Sequence, residues 1–285
     1  FVEEYAAGRT PNPCVECNTH VKFAPLLDWA RRHGYGRVAT GHYARLRTGA
    51  PAGEPVLARG LDPDKDQSYV LWGVPREVLE RTLFPLGGLS KEQVRVEARR
   101  LGLPVWDKEE SQDICFVPDG DYARVLRERL GPDHPAFAPG EIRDPEGRLL
   151  GRHEGLARYT VGQRRGLGVS GPQSWRVLAL ETATNTLRVG PAEALGRGGL
   201  VAGRLNLHVP AQAIGEGPVE VKIRYRHPAA AAEARVEGDG RLHVRFAEPQ
   251  AGVAPGQSAV VYRDGLVLGG GRIERACDCC PPVGS

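Results

Sequence analysis

Two cysteines separated by two residues, Cys14 and Cys17, are the residues of this chain best suited to covalent chemistry. They lie in the segment Thr10-Pro-Asn-Pro-Cys-Val-Glu-Cys-Asn18, where two prolines oppose helix formation, and a helix is predicted to begin a few residues beyond Cys17. Thiols near the start of a helix are stabilised as thiolates by the free amides and the helix dipole. Since thiolates attack sulfur or carbon and bind metals, the pair predicts sulfur chemistry, a redox centre or a zinc site.

A third cysteine, Cys115, follows the charged stretch 108–113 and precedes Phe116 and Val117. Taken alone, it fits either a buried inert thiol or a partner for the first pair. A tetrahedral zinc site would need further Cys or His ligands, and the candidates His20 and His42 stand isolated in the sequence. The spacing of the cysteines therefore leaves the metal and sulfur interpretations open.

Composition narrows the class of protein. The chain has 285 residues, 41% of them hydrophobic and 26% charged, which suits a globular protein of two or three domains. No apolar run approaches the roughly 20 residues of a membrane span, and the acidic start does not resemble a signal peptide. We therefore expect a cytoplasmic protein without a membrane partner, whose six cysteines do not form a disulfide scaffold.

Basic residues are grouped with amides or aromatic side chains in several short segments, as contacts to RNA phosphates and bases require. These segments are 65–69, 162–168, 224–226 and 255–257. Singly, each could be a turn or a solvated surface, and a net charge of +3 is too small to decide. Their spread along the chain favours a large ligand held between domains.

The first 130 residues have the pattern of alternating helices and short strands. Apolar residues on one face of a predicted helix are Val21, Ala24, Leu27 and Ala30, with Gly34 at its end. A short buried strand at 37–39 then leads into a turn at 40–43. Ser90 and Gln93 form a predicted capping box, followed by Val94, Ala98 and Leu101 on one helical face and by Gly102. This alternation predicts an α/β domain with a parallel sheet.

Beyond residue 130 the pattern becomes that of β-structure. Turns are predicted at 145–147 and 184–185, and Asp239-Gly240 predicts a hairpin. The alternation of Val219, Val221, Ile223 and Tyr225 with charged residues is typical of a half-buried antiparallel strand. We predict a central β-rich domain over 131–204, a β-barrel or sandwich over 205–276, and a cysteine-rich tail at 277–285.

Taken in order, seven segments resemble the tRNA-specific 2-thiouridylase family, and the resemblance covers essentially 1–276. The segments are TPNPCVECNTHVKF at 10–23, ATGHYARL at 39–46, KDQSYVLW at 65–72, FPLGGLSKEQVR at 84–95, KEESQDICF at 108–116, GRHEGLARYTVGQRRGLG at 151–168 and VKIRYRH at 221–227. The resemblance implies a fold of α/β plus β type. It comprises a PP-loop adenine-nucleotide α-hydrolase-like (Rossmann-like) domain, a small central domain and a C-terminal β-barrel that binds tRNA.

The resemblance also implies a reaction. Members of the family use ATP and Mg²⁺ to adenylate the C2 oxygen of the wobble uridine of tRNA. They then replace this oxygen with sulfur, which reaches them from a cysteine desulfurase or a sulfur-relay carrier protein. A carbonyl oxygen leaves poorly until it is joined to AMP, and a persulfide is then a strong sulfur nucleophile.

Site residues follow from the resemblance position by position. Cys17 matches the nucleophilic cysteine, Cys115 the persulfide-carrying cysteine, and Gly41 an ATP-contacting glycine. The stretch that meets the target base is Asn12, Pro13 and Cys14. The positions that match tRNA contacts are His42, Lys65, Asp66, Gln67, Arg224, Tyr225 and Gln257.

The sequence departs from the family in two places. Many members carry Asp, a proposed general acid/base, where this chain has Cys14, so the three cysteines could instead hold a 4Fe–4S cluster, as proposed for some relatives. A phosphate-binding loop similar to SGGVDSS is not found in the 285 residues. The first domain is therefore expected to be a remnant of the PP-loop domain in an N-terminally truncated chain, which would make no thiolated tRNA alone.

Two other classes of protein remain as alternatives. One is a non-enzymatic RNA-binding or zinc-binding protein, which would need bound zinc and no ATP. The other is a different PP-loop enzyme, such as an amidotransferase-like ligase, but this class explains neither the paired cysteines nor the basic β-region.

Overall fold

The computed structural model describes residues 1–48, 54–108, 115–117, 119–169 and 174–278. The helices are α1 (Val2–Ala6), α2 (Pro13–Glu16), a π-helix (Cys17–Phe23), α3 (Ala24–Arg32), α4 (Arg76–Leu79), α5 (Lys91–Arg100), α6 (Tyr122–Leu130) and α7 (Ala211–Ile214). The strands are β1 (Val38–Ala39), β2 (Ala44–Thr48), β3 (Pro55–Arg59), β4 (Thr82–Leu83), β5 (Gly140–Arg143), β6 (Leu149–His153), β7 (Arg176–Glu181), β8 (Thr186–Gly190), β9 (Gly196–Leu207), β10 (Val219–Lys222), β11 (Ala230–Val236), β12 (Leu242–Ala251), β13 (Ser258–Arg263) and β14 (Leu266–Cys277).

Strands β9 to β14 form a closed barrel of six strands. Their order is β13-β10-β11-β12-β9-β14, and β14 pairs back onto β13 to close it. Val219, Val221 and Ile223 are buried, as their alternation predicted, whereas Tyr225 is 39% exposed and lies beyond the end of β10. The predicted hairpin at Asp239-Gly240 joins β11 to β12. The prediction of a barrel is confirmed, and its first strand begins at Gly196.

A four-stranded sheet precedes the barrel in the chain. Its order is β6-β5-β8-β7, with β5 and β8 parallel and the outer pairs antiparallel. The predicted turns are present: Gly147 has φ +83° between β5 and β6, and Asn185 has φ +49° between β7 and β8. The glycine and the asparagine supply the left-handed conformations that these turns need.

The α/β region contains a short parallel pair. β1 pairs with β4 in register Val38 to Thr82, and Val38 is buried as predicted. α3 packs beside β1, and Gly34 follows it with φ +82° as a helix end requires. These features fit the Rossmann-like assignment of this region.

The helical segment at 13–32 differs from the sequence prediction in two respects. Helix begins at Pro13, before the cysteine pair, because proline is compatible with the first helical position. From Cys17 to Phe23 the backbone is a π-helix, whose wider i→i+5 turn displaces the 3.6-residue period. As a result Val21 is 66% exposed and Phe23 takes the buried place instead.

The capping box predicted for helix α5 is confirmed, but the predicted buried apolar face is wrong. The Ser90 hydroxyl accepts from the Gln93 amide (3.2 Å), and the Gln93 side chain accepts from the Ser90 amide (2.8 Å). Gly102 has φ +68° just beyond its end. No residue of α5 itself is buried, and Leu101 is 61% exposed.

Trp72 connects the helical region to the barrel. The backbone carbonyl of Trp72 accepts from the Asn206 amide nitrogen (2.6 Å) and contacts His208 Nε2 (2.9 Å). The β2–β3 hairpin adds to the barrel next to β14. Within the described residues, no helix is long and apolar enough to cross a membrane.

We predict that Gly270→Ala destabilises the protein by about 1–3 kcal/mol, because overpacking forces the neighbours apart. A Cβ atom at Gly270 on β14 would lie 2.8 Å from the Ala259 carbonyl oxygen and 2.9 Å from Cδ2 of the buried Trp72. Gly238→Ala is the matched control, since nothing lies within 4 Å of its Cβ position. Urea unfolding followed by tryptophan fluorescence measures both; equal stabilities would contradict the prediction.

Candidate functional site

The segment that carries the cysteine pair is held against one end of the barrel. The Thr10 amide donates to the Pro255 carbonyl oxygen (2.9 Å). The side-chain amide of Gln257 donates to the carbonyl oxygens of Thr10 (3.0 Å) and Pro11 (3.3 Å). Gly256 has φ +91°, and a Cβ there would lie 2.9 Å from the Thr10 carbonyl oxygen. Only glycine permits this close approach of two backbones.

The three described thiols of the predicted site are free. Cys14 is exposed on α2, Cys17 is half-buried at the start of the π-helix, and Cys115 is exposed. The stretch 109–114 before Cys115 lies outside the described residues, as do Cys279 and Cys280. Cys277, at the end of β14, is disulfide-bonded.

The electrostatic environment of Cys14 is opposite to the one predicted from the sequence. Partial burial of its sulfur raises the pKa of the Cys14 thiol, and the neighbouring Cys115 and Cys17 sulfurs raise it further, whereas Lys22 lowers it. The prediction that the helix start would favour a Cys14 thiolate is therefore wrong. The sulfurs of Cys115 and Cys17 act on Cys14 in the folded protein, so the fold brings the three predicted cysteines near one another.

The ring of His42 is neutral at neutral pH. Burial, and then the charge of Lys22, lowers the pKa of His42 to about 4. Its Nδ1 is 2.9 Å from the Thr40 hydroxyl, and its ring is 5.4 Å from that of Phe23. Lys22 acts on both Cys14 and His42, a role that the sequence analysis missed because these residues are distant in the chain.

Gly41 lies two residues beyond the end of β1. It is exposed, and its Cβ position has only Leu86 nearby, at 3.7 Å. In open parallel sheets, ligands bind outside the carboxyl ends of the strands. The place of Gly41 is therefore compatible with the nucleotide contact implied by the family resemblance.

The predicted tRNA-contact positions 65–67 lie in a turn, and the side chains of Asp66 and Gln67 form hydrogen bonds within the protein. Asp66 is buried, and its carboxylate accepts from the Gly60 and Ser68 amides (3.0 Å each) and from the Ser68 hydroxyl (2.9 Å). The Gln67 side chain accepts from the Tyr43 amide (3.0 Å), next to His42. Lys65 is half-buried on the same turn. Asp66 and Gln67 thus fix the shape of the turn.

Tyr69 joins the base-meeting stretch to the barrel. It is fully buried, and its hydroxyl donates to the Ser258 carbonyl oxygen (3.1 Å) and hydrogen-bonds with the Asn12 side chain. The Lys222 ammonium lies 5.8 Å from the Tyr69 ring and 5.7 Å from that of Tyr225. Asn12 and Tyr225 are therefore linked through Tyr69 and Lys222. No sequence pattern had pointed to Tyr69 as a connecting residue.

Arg224 connects the barrel to the preceding sheet region. Its guanidinium donates to the Val161 carbonyl oxygen (2.6 Å), inside the basic segment 151–168. Burial lowers the pKa of Arg224. A Cβ at Gly252 would lie 3.2 Å from the Arg224 Nη2. This guanidinium therefore holds the two regions together, whereas Arg164 and Arg165 of the same segment are exposed.

A cleft of about 230 Å³ lies between the cysteine-bearing helices and the barrel. Its lining residues are Asn12, Val15, Glu16, Thr19, His20, Trp72, Gly73, Arg204, Asn206, Gly256, Ser258 and Arg272. Asn12, which belongs to the segment matched to target-base contact, therefore also lines the cleft.

The described part of the chain offers one compact group of metal-ligand atoms, and it contains no cysteine. This group is Glu237, Asp239 and His243 on the β11–β12 hairpin. Its two carboxylates already bind Arg235 and Arg241, respectively. Cys14 and Cys17 are not part of this group.

Three family models match the chain in order. The tRNA methyl transferase HUP domain matches residues 1–119, the tRNA methyl transferase PRC-barrel domain residues 131–191, and the aminomethyltransferase beta-barrel domain residues 197–273. These matches correspond in order to the helical region, the four-stranded sheet and the closed barrel.

Curated relatives resemble nearly the whole chain. A tRNA-specific 2-thiouridylase MnmA of Heliobacterium modesticaldum is 47% identical over 279 residues, which cover 98% of this chain and 72% of the relative. The protein of the same name from Geobacter metallireducens is 49% identical over 276 residues, 97% of this chain and 74% of the relative. That from Geotalea uraniireducens is 47% identical over 278 residues, 97% of this chain and 72% of the relative.

We predict that His42 makes the protein less stable in mild acid. The unfolded chain takes up a proton at His42 near pH 6.5 but the folded chain only near pH 4. The free energy of unfolding should therefore fall as the pH decreases from about 6.5 to about 4. Relative to His42→Gln, the loss should be about 2 kcal/mol, less than the full pKa difference gives, because part of the ring meets solvent. Urea unfolding at pH 7, 5.5 and 4.5 measures it, with the exposed His33→Gln as control; parallel wild-type and His42→Gln curves would contradict the prediction.

Proposed function

The chain belongs to the tRNA-specific 2-thiouridylase family, and we propose that it replaces the C2 oxygen of the wobble uridine of tRNA with sulfur in an ATP-dependent reaction. Enzymes of this kind must bind RNA, activate a carbonyl oxygen and deliver sulfur at one place. The proposal rests chiefly on the three free thiols, since Cys115 and Cys17 both act electrostatically on Cys14, and on the docking of the segment that precedes Cys14 against the barrel.

The first step is activation of the uridine. Its C2 oxygen attacks the α-phosphate of ATP, used as the Mg²⁺ complex, and pyrophosphate leaves. Gly41, at the carboxyl end of β1, is the proposed ATP contact. The neutral His42 ring beside it adds no positive charge at neutral pH. The adenylated oxygen can then leave C2 as AMP.

The second step delivers sulfur. Cys115 carries a persulfide received from a sulfur-donor protein, either a cysteine desulfurase or a relay carrier. The terminal sulfur attacks C2 and AMP leaves, so that the base is joined to Cys115 through two sulfurs. The Cys17 thiolate then attacks the Cys115 sulfur. This releases 2-thiouridine and leaves a Cys17–Cys115 disulfide, which an external thiol must reduce before the next turnover.

Cys14 has a narrower role than the aspartate that many relatives carry there. Its raised pKa keeps it protonated at neutral pH. A protonated thiol can donate a proton but is a poor base. We therefore propose that Cys14 lies against the target base with Asn12 and Pro13, and that it acts at most as a proton donor.

Recognition of tRNA involves residues from the α/β region and from the barrel. The exposed Tyr225 ring suits stacking on a base, and the Lys222 ammonium near it suits pairing with a phosphate. Lys65, on the turn at 65–67, is a further proposed phosphate contact. His42 borders the same site. By contrast Asp66, Gln67, Arg224 and Gln257 make internal hydrogen bonds, so we propose that they shape the surface that meets the tRNA.

We predict that Cys17→Ser and Cys115→Ser each reduce 2-thiouridine by at least about 100-fold, because each removes a sulfur atom that changes bonds. The protein is expressed from its complete gene in cells lacking their own 2-thiouridylase, and mass spectrometry measures 2-thiouridine in tRNA. Cys277→Ser is the control outside the site. If folded wild-type protein restored none, the function would be rejected in favour of a non-enzymatic RNA-binding protein; activity in either mutant would reject its thiol's role.

A second candidate mechanism gives the same product but delivers the sulfur as a sulfide bound to an iron–sulfur cluster instead of as a cysteine persulfide. Cys14, which stands in place of an aspartate, would hold a 4Fe–4S cluster together with Cys17 and Cys115, all three being free thiols, and such a cluster would supply an iron site for the sulfide to be transferred. In that case protein purified without oxygen should contain about four iron atoms per chain, and Cys14→Ala should lower this number. Metal analysis measures it, and an iron content near zero would reject the cluster.

A further inference from the structure

Arg272 on β14 bridges two carboxylates from separate N-terminal helices. Its Nη1 donates to Glu4 Oε1 on α1 (3.0 Å), and its Nη2 donates to Glu16 Oε1 at the end of α2. Glu4 in turn accepts from Arg9 through Oε2 (2.7 Å). The four side chains form one continuous chain of opposite charges between the barrel and the cysteine-bearing segment.

The centre of this network is withdrawn from water. The Arg272 side chain is 19% exposed and that of Glu4 is 11% exposed. The bond from Arg9 and the nearby charge of Arg272 lower the pKa of Glu4 against the opposing effect of burial. Since charge-assisted bonds strengthen when water is excluded, the Arg272–Glu4 contact should be rigid. It holds the guanidinium in place for Glu16, whose side chain is 47% exposed. Loss of Arg272 would leave a largely buried Glu4 with one cation fewer.

The bridge ends on a residue that lies between the two cysteines in the chain. Glu16 is the last residue of α2, between Cys14 in its first turn and Cys17 at the start of the π-helix. The preceding residues Thr10 and Pro11 are held by Gln257 of the barrel. The Ile273 amide, adjacent to Arg272, donates to the Gln257 carbonyl oxygen (2.8 Å). One piece of the barrel therefore fixes α2 on both sides.

We propose that Arg272 is a positioning residue for thiolation, which sets Cys17 in register with a uridine bound against the barrel. This inference rests on the proposed function. A displacement of about 1 Å can cost roughly 100-fold in rate when reacting groups must align. Arg272 touches neither substrate nor reacting sulfur in this proposal and acts through Glu16.

The test compares Arg272→Gln and Arg272→Lys with the matched control Arg241→Gln. Arg241 also pairs with a carboxylate of β14, Glu274, but the two side chains are 46% and 43% exposed. Steady-state thiolation of a tRNA transcript is measured with protein from the complete gene, below the melting temperature of every variant. We expect kcat of Arg272→Gln to fall about tenfold or more while KM for tRNA changes less than about threefold. Arg272→Lys should recover part of the rate, and Arg241→Gln should match wild type.

Two further measurements separate this role from a contribution to stability alone. Glu16→Gln and the double variant Glu16→Gln/Arg272→Gln should lose about as much kcat as Arg272→Gln, because partners in one contact are non-additive. Without tRNA or ATP, the rate of Cys17 alkylation should rise at least about threefold in Arg272→Gln, because Cys17 is half-buried.

The alkylation assay also distinguishes the two possible failures. If wild type thiolates no tRNA, the proposed function fails, whereas a changed alkylation rate would still support the placement of Cys17 by Arg272. If wild type is active and folded Arg272→Gln keeps both its kcat and its alkylation rate, the positioning role is overturned.

Discussion

The cysteine-bearing segment depends for its position on the far end of the chain. Two backbones meet where Thr10 donates to Pro255, and the glycine at 256 allows them to come this close. Gln257 and Arg272 extend the same contact on either side of α2. The barrel is therefore part of the site, since it determines where the thiols lie.

A second consequence of this docking is the electrostatic state of the site. Packing brings Cys115 close to Cys14 and places Lys22 beside both Cys14 and His42. The site thus combines a thiol that stays protonated, an imidazole that stays neutral and one nearby ammonium group. In such a site the ammonium group can stabilise negative charge that develops during a reaction, and the protonated thiol can donate a proton.

The features predicted from the sequence were those set by local chemistry. The capping box at Ser90, the turn at Asn185 and the alternation around Val221 depend on neighbours in the chain, and all are present in the fold. The features that were missed depend on distant residues. Burial and two other sulfurs reversed the expected pKa shift of Cys14, and a π-helix displaced the period that had pointed to Val21.

The candidate site was predictable to the extent that residue types and family motifs carry it. The motifs pointed to the three cysteines, but they did not show which residues of the motifs form hydrogen bonds within the protein. Asp66 is matched to RNA contact, yet its carboxylate accepts hydrogen bonds from the amides of Gly60 and Ser68.

The long separation between Gln257 and Thr10 in the chain means that their contact forms late. Ribosomes add about 5–20 residues per second, so the 247 residues between them correspond to roughly 12–50 s of synthesis. For the later part of that interval Cys14 and Cys17 are outside the ribosome without the barrel, so their thiols are exposed before they reach their final environment.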